Sequence, residues 1–195
     1  MRIEVFQEVY EPCDDTYLLA RNLEVRESDE VLEIGTGSGI LAIIAAKKAK
    51  RVVACDINKK AIECAKHNAK LNNVNIEVIE SDLFSNIKGK FDLIIFNPPY
   101  LPSSPLDRED ELAKAWNGGE TGREVINKFI KGAKKFLKPK GRVQIVASSR
   151  CGIKEVIQKF HEEGFITEII AKERHFFEEL VVINCLLYTS PSPRD

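Results

Sequence analysis

Seven short runs of β-branched and aromatic residues, mostly separated by stretches of helical periodicity, constrain this chain more than any other feature. The runs are Asp29–Ile34, Arg51–Ile57, Val74–Ile79, Phe91–Phe96, Val143–Ala147, Phe165–Ala171 and Leu180–Leu187. Strands that alternate with helices predict βαβ units and a mainly parallel sheet covered on both faces. The intervening patterns predict helices over Leu41–Lys48, from the cap Asn58 to Asn72-Asn73, over Thr121–Leu137 and over Ile153–Glu163. An additional helix is expected from Pro12 to about Leu23, ahead of the first strand. Only about eight residues part the last two runs, too few for a crossover helix, so that pair is expected to be antiparallel. The fold class is therefore α/β, a doubly wound, seven-stranded, mostly parallel sheet with an antiparallel last strand.

With 195 residues the length fits one domain, and residues 1–187 are read as that unit. The segment Tyr188–Asp195 (YTSPSPRD) has no periodicity and is expected to be a disordered or non-native tail. Lys and Arg number 29 against 30 Asp and Glu, for a net charge of -1. That balance argues against bulk DNA or an anionic membrane surface as the partner. The N-terminus, MRIEVFQEVY, offers no apolar core for a signal peptide, and no run approaches the ~18 apolar residues of a membrane span. Five cysteines, none in a C-x-x-C pair, read as reduced, mostly core residues of a cytoplasmic protein, with no metal expected.

Chemistry enters at Glu33-Ile34-Gly35-Thr36-Gly37-Ser38-Gly39, where the first strand hands over to a helix. Glycines let the backbone turn sharply and approach a ligand, and the helix N-terminus offers unpaired N–H groups. Asp56 follows Gly35 by 21 residues, at the end of the second strand, where a carboxylate can accept from both ribose hydroxyls of a nucleoside. The spacing is G-x-G-x-G with Glu33 two residues before the first glycine, rather than G-x-G-x-x-G. A pyrophosphate would be repelled by Glu33, whereas the ammonium end of S-adenosylmethionine tolerates an anionic neighbour. A nicotinamide cofactor and a ligand-free turn stay open as alternatives. Asp82, after the third strand, is placed to accept the amino hydrogens of an adenine, or simply to cap a turn.

Asn97-Pro98-Pro99-Tyr100 closes the fourth strand, beside the switch point where open α/β sheets bind ligands. Two prolines fix the backbone and remove two N–H donors. The Asn97 oxygen and the Pro98 carbonyl can together accept both hydrogens of a planar NH2 group, with Tyr100 stacked on its face. Such a clamp suits methylation of an amide or an exocyclic amine, because it orients a weak nitrogen nucleophile. A plain proline-rich turn is the alternative.

Together Glu33–Gly39, Asp56 and Asn97–Tyr100 resemble a class I S-adenosylmethionine-dependent methyltransferase of the amino-group type. Glu11-Pro12-Cys13-Asp14-Asp15-Thr16 resembles the E-P-x-[DE]-D-[ST] opening of HemK-type glutamine N5-methyltransferases, and Trp116–Gly122 (WNGGETG) resembles their second glycine signature. The resemblance runs from about Val9 to Leu187 and is strongest to the short archaeal and eukaryotic branch. It implies the strand order 3-2-1-4-5-7-6. It also implies cofactor contacts from Thr16, Glu33, Gly35, Thr36, Gly37, Gly39, Asp56, Ile57, Asp82, Leu83 and Asn97. The substrate it implies is the glutamine of the GGQ motif of a class I peptide-chain release factor. Two other functions stay open, methylation of an adenine-N6-type amine in nucleic acid and a catalytically silent cofactor-binding subunit. A small zinc-binding activator protein is implied as a partner, and Val74–Ile79, expected at the sheet edge, is the surface offered to it. His175, between the last two strands, has no assigned role.

Overall fold

The computed structural model describes residues 1–104 and 115–188. Its seven strands form one sheet: β1 (Glu30–Ile34), β2 (Arg51–Asp56), β3 (Glu77–Glu80), β4 (Phe91–Phe96), β5 (Leu137–Ser148), β6 (Phe165–His175) and β7 (Glu178–Leu187). The order is β3-β2-β1-β4-β5-β7-β6, as expected. Only β7 runs against its neighbours, pairing antiparallel with both β5 and β6. The helices are α1 (Asp14–Arg21), α2 (Ile40–Ala46), α3 (Lys59–Leu71), α4 (Glu124–Ala133) and α5 (Ile153–Glu162).

Alternation along the central strands divides the core into two layers. Leu32, Ile34, Ile94 and Phe96 face α4 and α5, where Phe129, Ile130 and Phe160 meet them. Val31, Val52, Leu93 and Ile95 face the other way, against Leu18 and Leu19 of α1 and Leu41 of α2. Each such side chain contributes roughly 1.5–3 kcal/mol by leaving water, which is why the central strands read as continuous apolar runs.

Four expectations need correction. The third strand is Glu77–Glu80 rather than Val74–Ile79, because the end of α3 consumes the residues before it: Asn73 is left-handed (φ 54) and the Val74 N–H returns to the Ala69 carbonyl. The fourth helix starts at Glu124, not Thr121. Gly119 and Gly122 hold positive φ there, and the Thr121 hydroxyl and N–H donate to the Glu124 carboxylate. That helix passes through a 3-10 turn (Lys134–Phe136) straight into β5, so Pro139 and Gly141 lie within a long strand instead of beyond a helix. Finally, β6 and β7 extend until only Phe176 and Phe177 separate them. Charged residues at 172–175 hide that extension from hydrophobic patterning. The expected tail falls outside the described residues from 189 onward.

Candidate active site

The strand order reverses between β1 and β4, and a cleft of about 950 Å³ opens at their carboxyl ends. Its floor is the Glu33–Ser38 turn. Gly35, Gly37 and Gly39 all have positive φ (65, 54 and 84), yet they serve different purposes. A Cβ on Gly37 would meet nothing nearer than the Tyr10 carbonyl at 4.0 Å, so Gly37 faces open space. A Cβ on Gly39 would lie 3.0 Å from the Ala65 Cα. Gly39 therefore lets α2 pack on α3, while its neighbours Ser38 and Ile40 line the cleft.

Two carboxylates brace this turn. Glu33 is buried, and its Oε2 accepts from the Thr36 hydroxyl at 2.6 Å and the Ala42 N–H at 3.0 Å. Burial pushes its carboxyl up to about 8, against the pull of those two bonds. Asp56 at the end of β2 accepts from the Gly37 N–H on one oxygen and the Asn58 N–H on the other, both at 2.9 Å. Its carboxyl is also raised by burial. A carboxylate offers about four lone-pair sites, so Asp56 keeps acceptor capacity toward the cleft. Ile57, half exposed at 50%, continues this wall.

Beyond β3, Leu83 sits in the left-handed region (φ 47), a conformation unfavourable for a branched residue. Its carbonyl accepts from the Ser81 hydroxyl at 2.9 Å, which holds the turn. Asp82 and Leu83 both line the cleft, and Asp82 is exposed. The Asp82 carbonyl accepts from the Ser85 N–H and its N–H donates to the Ser85 hydroxyl, so its backbone makes the turn.

Asn97, Pro98, Pro99 and Tyr100 form the opposite wall. Asn97 Nδ2 donates to the Thr16 hydroxyl at 3.1 Å, while Asn97 Oδ1 is buried with no hydrogen-bond partner. An orphaned buried acceptor costs roughly 1–3 kcal/mol, and it is what a site prepared for an incoming NH2 group presents. Thr16 in turn donates to Asp15, which is 4% exposed. The Asp15 carboxylate also receives the Tyr10 hydroxyl at 3.1 Å and the Tyr100 hydroxyl at 3.2 Å. Both phenols are held well above their usual range by burial and then by the Asp15 charge. Tyr100 is thus pinned by its hydroxyl. Asp15 and Tyr10 were not singled out in the sequence as site residues, although the E-P-C-D-D-T stretch that contains Asp15 was the available signal.

The second glycine signature buttresses this wall. Leu101 N–H donates to the Trp116 carbonyl and Gly118 N–H to the Leu101 carbonyl, at 2.9 and 2.8 Å. A Cβ on Gly118 would lie 2.7 Å from the Pro99 carbonyl oxygen, and one on Gly122 would collide with that of Tyr100. Only glycine allows the two segments to lie back to back. Among the described residues no cluster of three His, Cys, Asp or Glu is arranged to hold a metal ion, and no helix is long and apolar enough to cross a membrane.

A doubly wound sheet in this order, with a glycine turn, a strand-end acid and an orphaned amide around one cleft, defines a class I methyltransferase. The chain belongs to the methyltransferase small domain family, whose model matches residues 11–177, and within it to the HemK-type branch. A Methanocaldococcus jannaschii protein named "Putative protein N5-glutamine methyltransferase" is 50% identical over 186 residues, covering 94% of both chains. Mouse methyltransferase HEMK2 is 34% identical over 82% of this chain and 80% of its own. The structure of the E. cuniculi Mtq2–Trm112 complex, described as responsible for methylation of the eRF1 translation termination factor, superposes with a TM-score of 0.74. It is 26% identical and covers 93% of this chain and 100% of that one.

Proposed function

We propose that this chain methylates the side-chain nitrogen of a glutamine in a protein, namely the GGQ glutamine of a class I peptide-chain release factor. The observation that carries the reading is the buried, unpartnered Oδ1 of Asn97 in the cleft wall. The relatives' names support the substrate: glutamine N5 in one, a termination factor in another.

S-adenosylmethionine, when bound, supplies an electrophilic methyl group on a sulfonium. The residues present suit that molecule. Gly37 leaves the space open, Asp56 retains acceptor sites for ribose hydroxyls, and Asp82, Leu83 and Ile57 line the wall where a base would lie. Glu33 lies buried behind the turn with its anionic form costly until a cation approaches. Thr16 holds Asn97, which accepts one amide hydrogen while the Pro98 carbonyl accepts the other, and Tyr100 closes the face of the amide plane. Orientation of a weak nucleophile, with water displaced from the cleft, is the catalytic contribution of these side chains.

A small zinc-binding activator along β3 belongs to the same proposal. One edge of the sheet is β3, and it carries Glu77 and Glu80, which pair with Arg51 at 2.6 Å and Lys59 at 3.9 Å. The edge is therefore charged at both ends, in contrast to the apolar edge expected from Val74–Ile79, and a strand-adding partner must satisfy those acids. Incubation with tritiated S-adenosylmethionine and either release factor or DNA, with and without the activator, tests the whole reading. Label on a release-factor glutamine supports it; label on adenine overturns it in favour of a nucleic-acid amine.

A further inference from the structure

The tip of the β6–β7 hairpin breaks the rules of its own turn. Phe165–His175 pairs with Glu178–Leu187 up to His175 opposite Glu178, leaving Phe176 and Phe177 as a two-residue connection. Two-residue hairpin turns favour Asn and Gly with positive φ. Here both positions are phenylalanine and neither has a positive φ. The rings are 92% and 79% exposed and pack edge to face with centroids 4.5 Å apart. Paired aromatic rings held in water by a well-formed hairpin stabilise nothing in the fold, and local choices that contradict the fold mark functional positions.

The hairpin is tied to α1, the helix that carries two residues of the cleft wall. His175 lies 3.6 Å from Asp14, the residue before Asp15 and Thr16 in the cleft wall, and Arg21 pairs with Glu173 at 2.8 Å. Asp14, Tyr17 and Arg21 share one side of α1 by helical spacing. Tyr17, 45% exposed, lies on that same side, between the two residues that meet the hairpin. On the strand side, the Glu179 N–H donates to the Ser149 hydroxyl at 3.0 Å, which ties the base of the turn to the end of β5. Asp14, between the hairpin and the cleft-wall residues Asp15 and Thr16, is exposed, and Glu11, three residues before it in sequence, is exposed as well.

We infer that Phe176 and Phe177, with Tyr17, form the docking platform for the polypeptide that carries the target glutamine. A glutamine side chain is short, so presenting its amide to Asn97 requires the backbone on either side to lie across the rim. Aromatic faces receive that backbone and its apolar neighbours, and the acidic rim favours a basic residue close to the glutamine. This inference rests on the protein-glutamine reading above.

The test compares the wild type with the double variant Phe176→Ala, Phe177→Ala on two substrates, intact release factor and a short peptide containing its glutamine, with S-adenosylmethionine affinity measured alongside. The platform predicts unchanged cofactor affinity and a KM for intact release factor raised about tenfold or more, the scale of losing interface aromatics. It predicts a smaller change for the short peptide. Equal KM values for wild type and variant on release factor overturn the platform while leaving the glutamine reading standing. A wild type that labels no release factor overturns the reading and the platform together. A wild-type dimer that the double variant dissociates, with release-factor kinetics unchanged, assigns the tip to self-association and also overturns the proposal.

Discussion

Replacing Glu33 with Gln separates the two things this buried acid does, bracing the glycine turn and carrying charge. The amide is isosteric, and its carbonyl oxygen can still accept from the Thr36 hydroxyl and the Ala42 N–H. What it cannot do is ionise. In the folded chain burial raises the carboxyl from the ordinary 4.5 to about 8, so the folded state binds a proton more tightly than the unfolded state. By linkage, stability from this group is fully present below about 4.5 and is lost as pH rises toward about 8. Each tenfold change in proton affinity is worth about 1.4 kcal/mol, which makes the loss on the order of 5 kcal/mol. Relaxation and the weaker bonds to a neutral amide reduce the difference to roughly 2–4 kcal/mol. Urea denaturation of the ligand-free protein across about pH 5 to about pH 9 measures it. The variant is expected to match the wild type at the acid end and to exceed it by that amount at the alkaline end. A variant that is equally destabilised at every pH would refute the reasoning, because Glu33 would then act through its hydrogen bonds alone.

Asp56→Ala is expected to weaken S-adenosylmethionine binding by roughly 1.5–3 kcal/mol in calorimetric titration, the loss of charge-assisted bonds. Because Asp56 also holds the Gly37 N–H, Asp56→Asn should recover part of that loss. Gly37→Ala and Gly39→Ala should diverge. The first places a methyl in open cleft and lowers cofactor affinity with a modest change in melting temperature; the second crowds Ala65 at 3.0 Å and lowers the melting temperature first. Asp15→Asn removes the charge that both tyrosine hydroxyls reach. It should reduce kcat by about tenfold or more with little change in cofactor affinity, and near-UV circular dichroism should report freer tyrosines.

The strands and the cleft were largely legible in the sequence because both depend on periodicity and on glycine, whereas the strand order came only from the family resemblance. Leu93–Phe96 is apolar on both faces only because helices cover both, and the Gly35–Gly39 turn announces a strand handing over to a helix. What stayed hidden depends on contacts between distant segments. Gly39 looked like its neighbours, but its Cβ position is filled by Ala65 of another helix. The third strand was misplaced because the end of α3 captures Val74 through Ala69, an interaction that β-branched composition does not encode. Asp15 lies 85 residues from Tyr100 in sequence yet accepts its hydroxyl. The two-residue turn at Phe176–Phe177 carries no glycine or asparagine to signal it.

The central claim is that Asn97 matters chiefly for holding the substrate amide and contributes little to cofactor affinity, and Asn97→Ala tests it most directly. The measurement pairs calorimetric titration of S-adenosylmethionine with single-turnover methylation of release factor by the same preparation. The account predicts cofactor affinity within about threefold of wild type, a difference under ~1 kcal/mol, and methyl transfer reduced by a factor on the order of a thousand or more, the scale of losing a preorganised orienting group. Near-full methyl transfer by the variant, or a loss of cofactor binding that accounts for the whole defect, would contradict it.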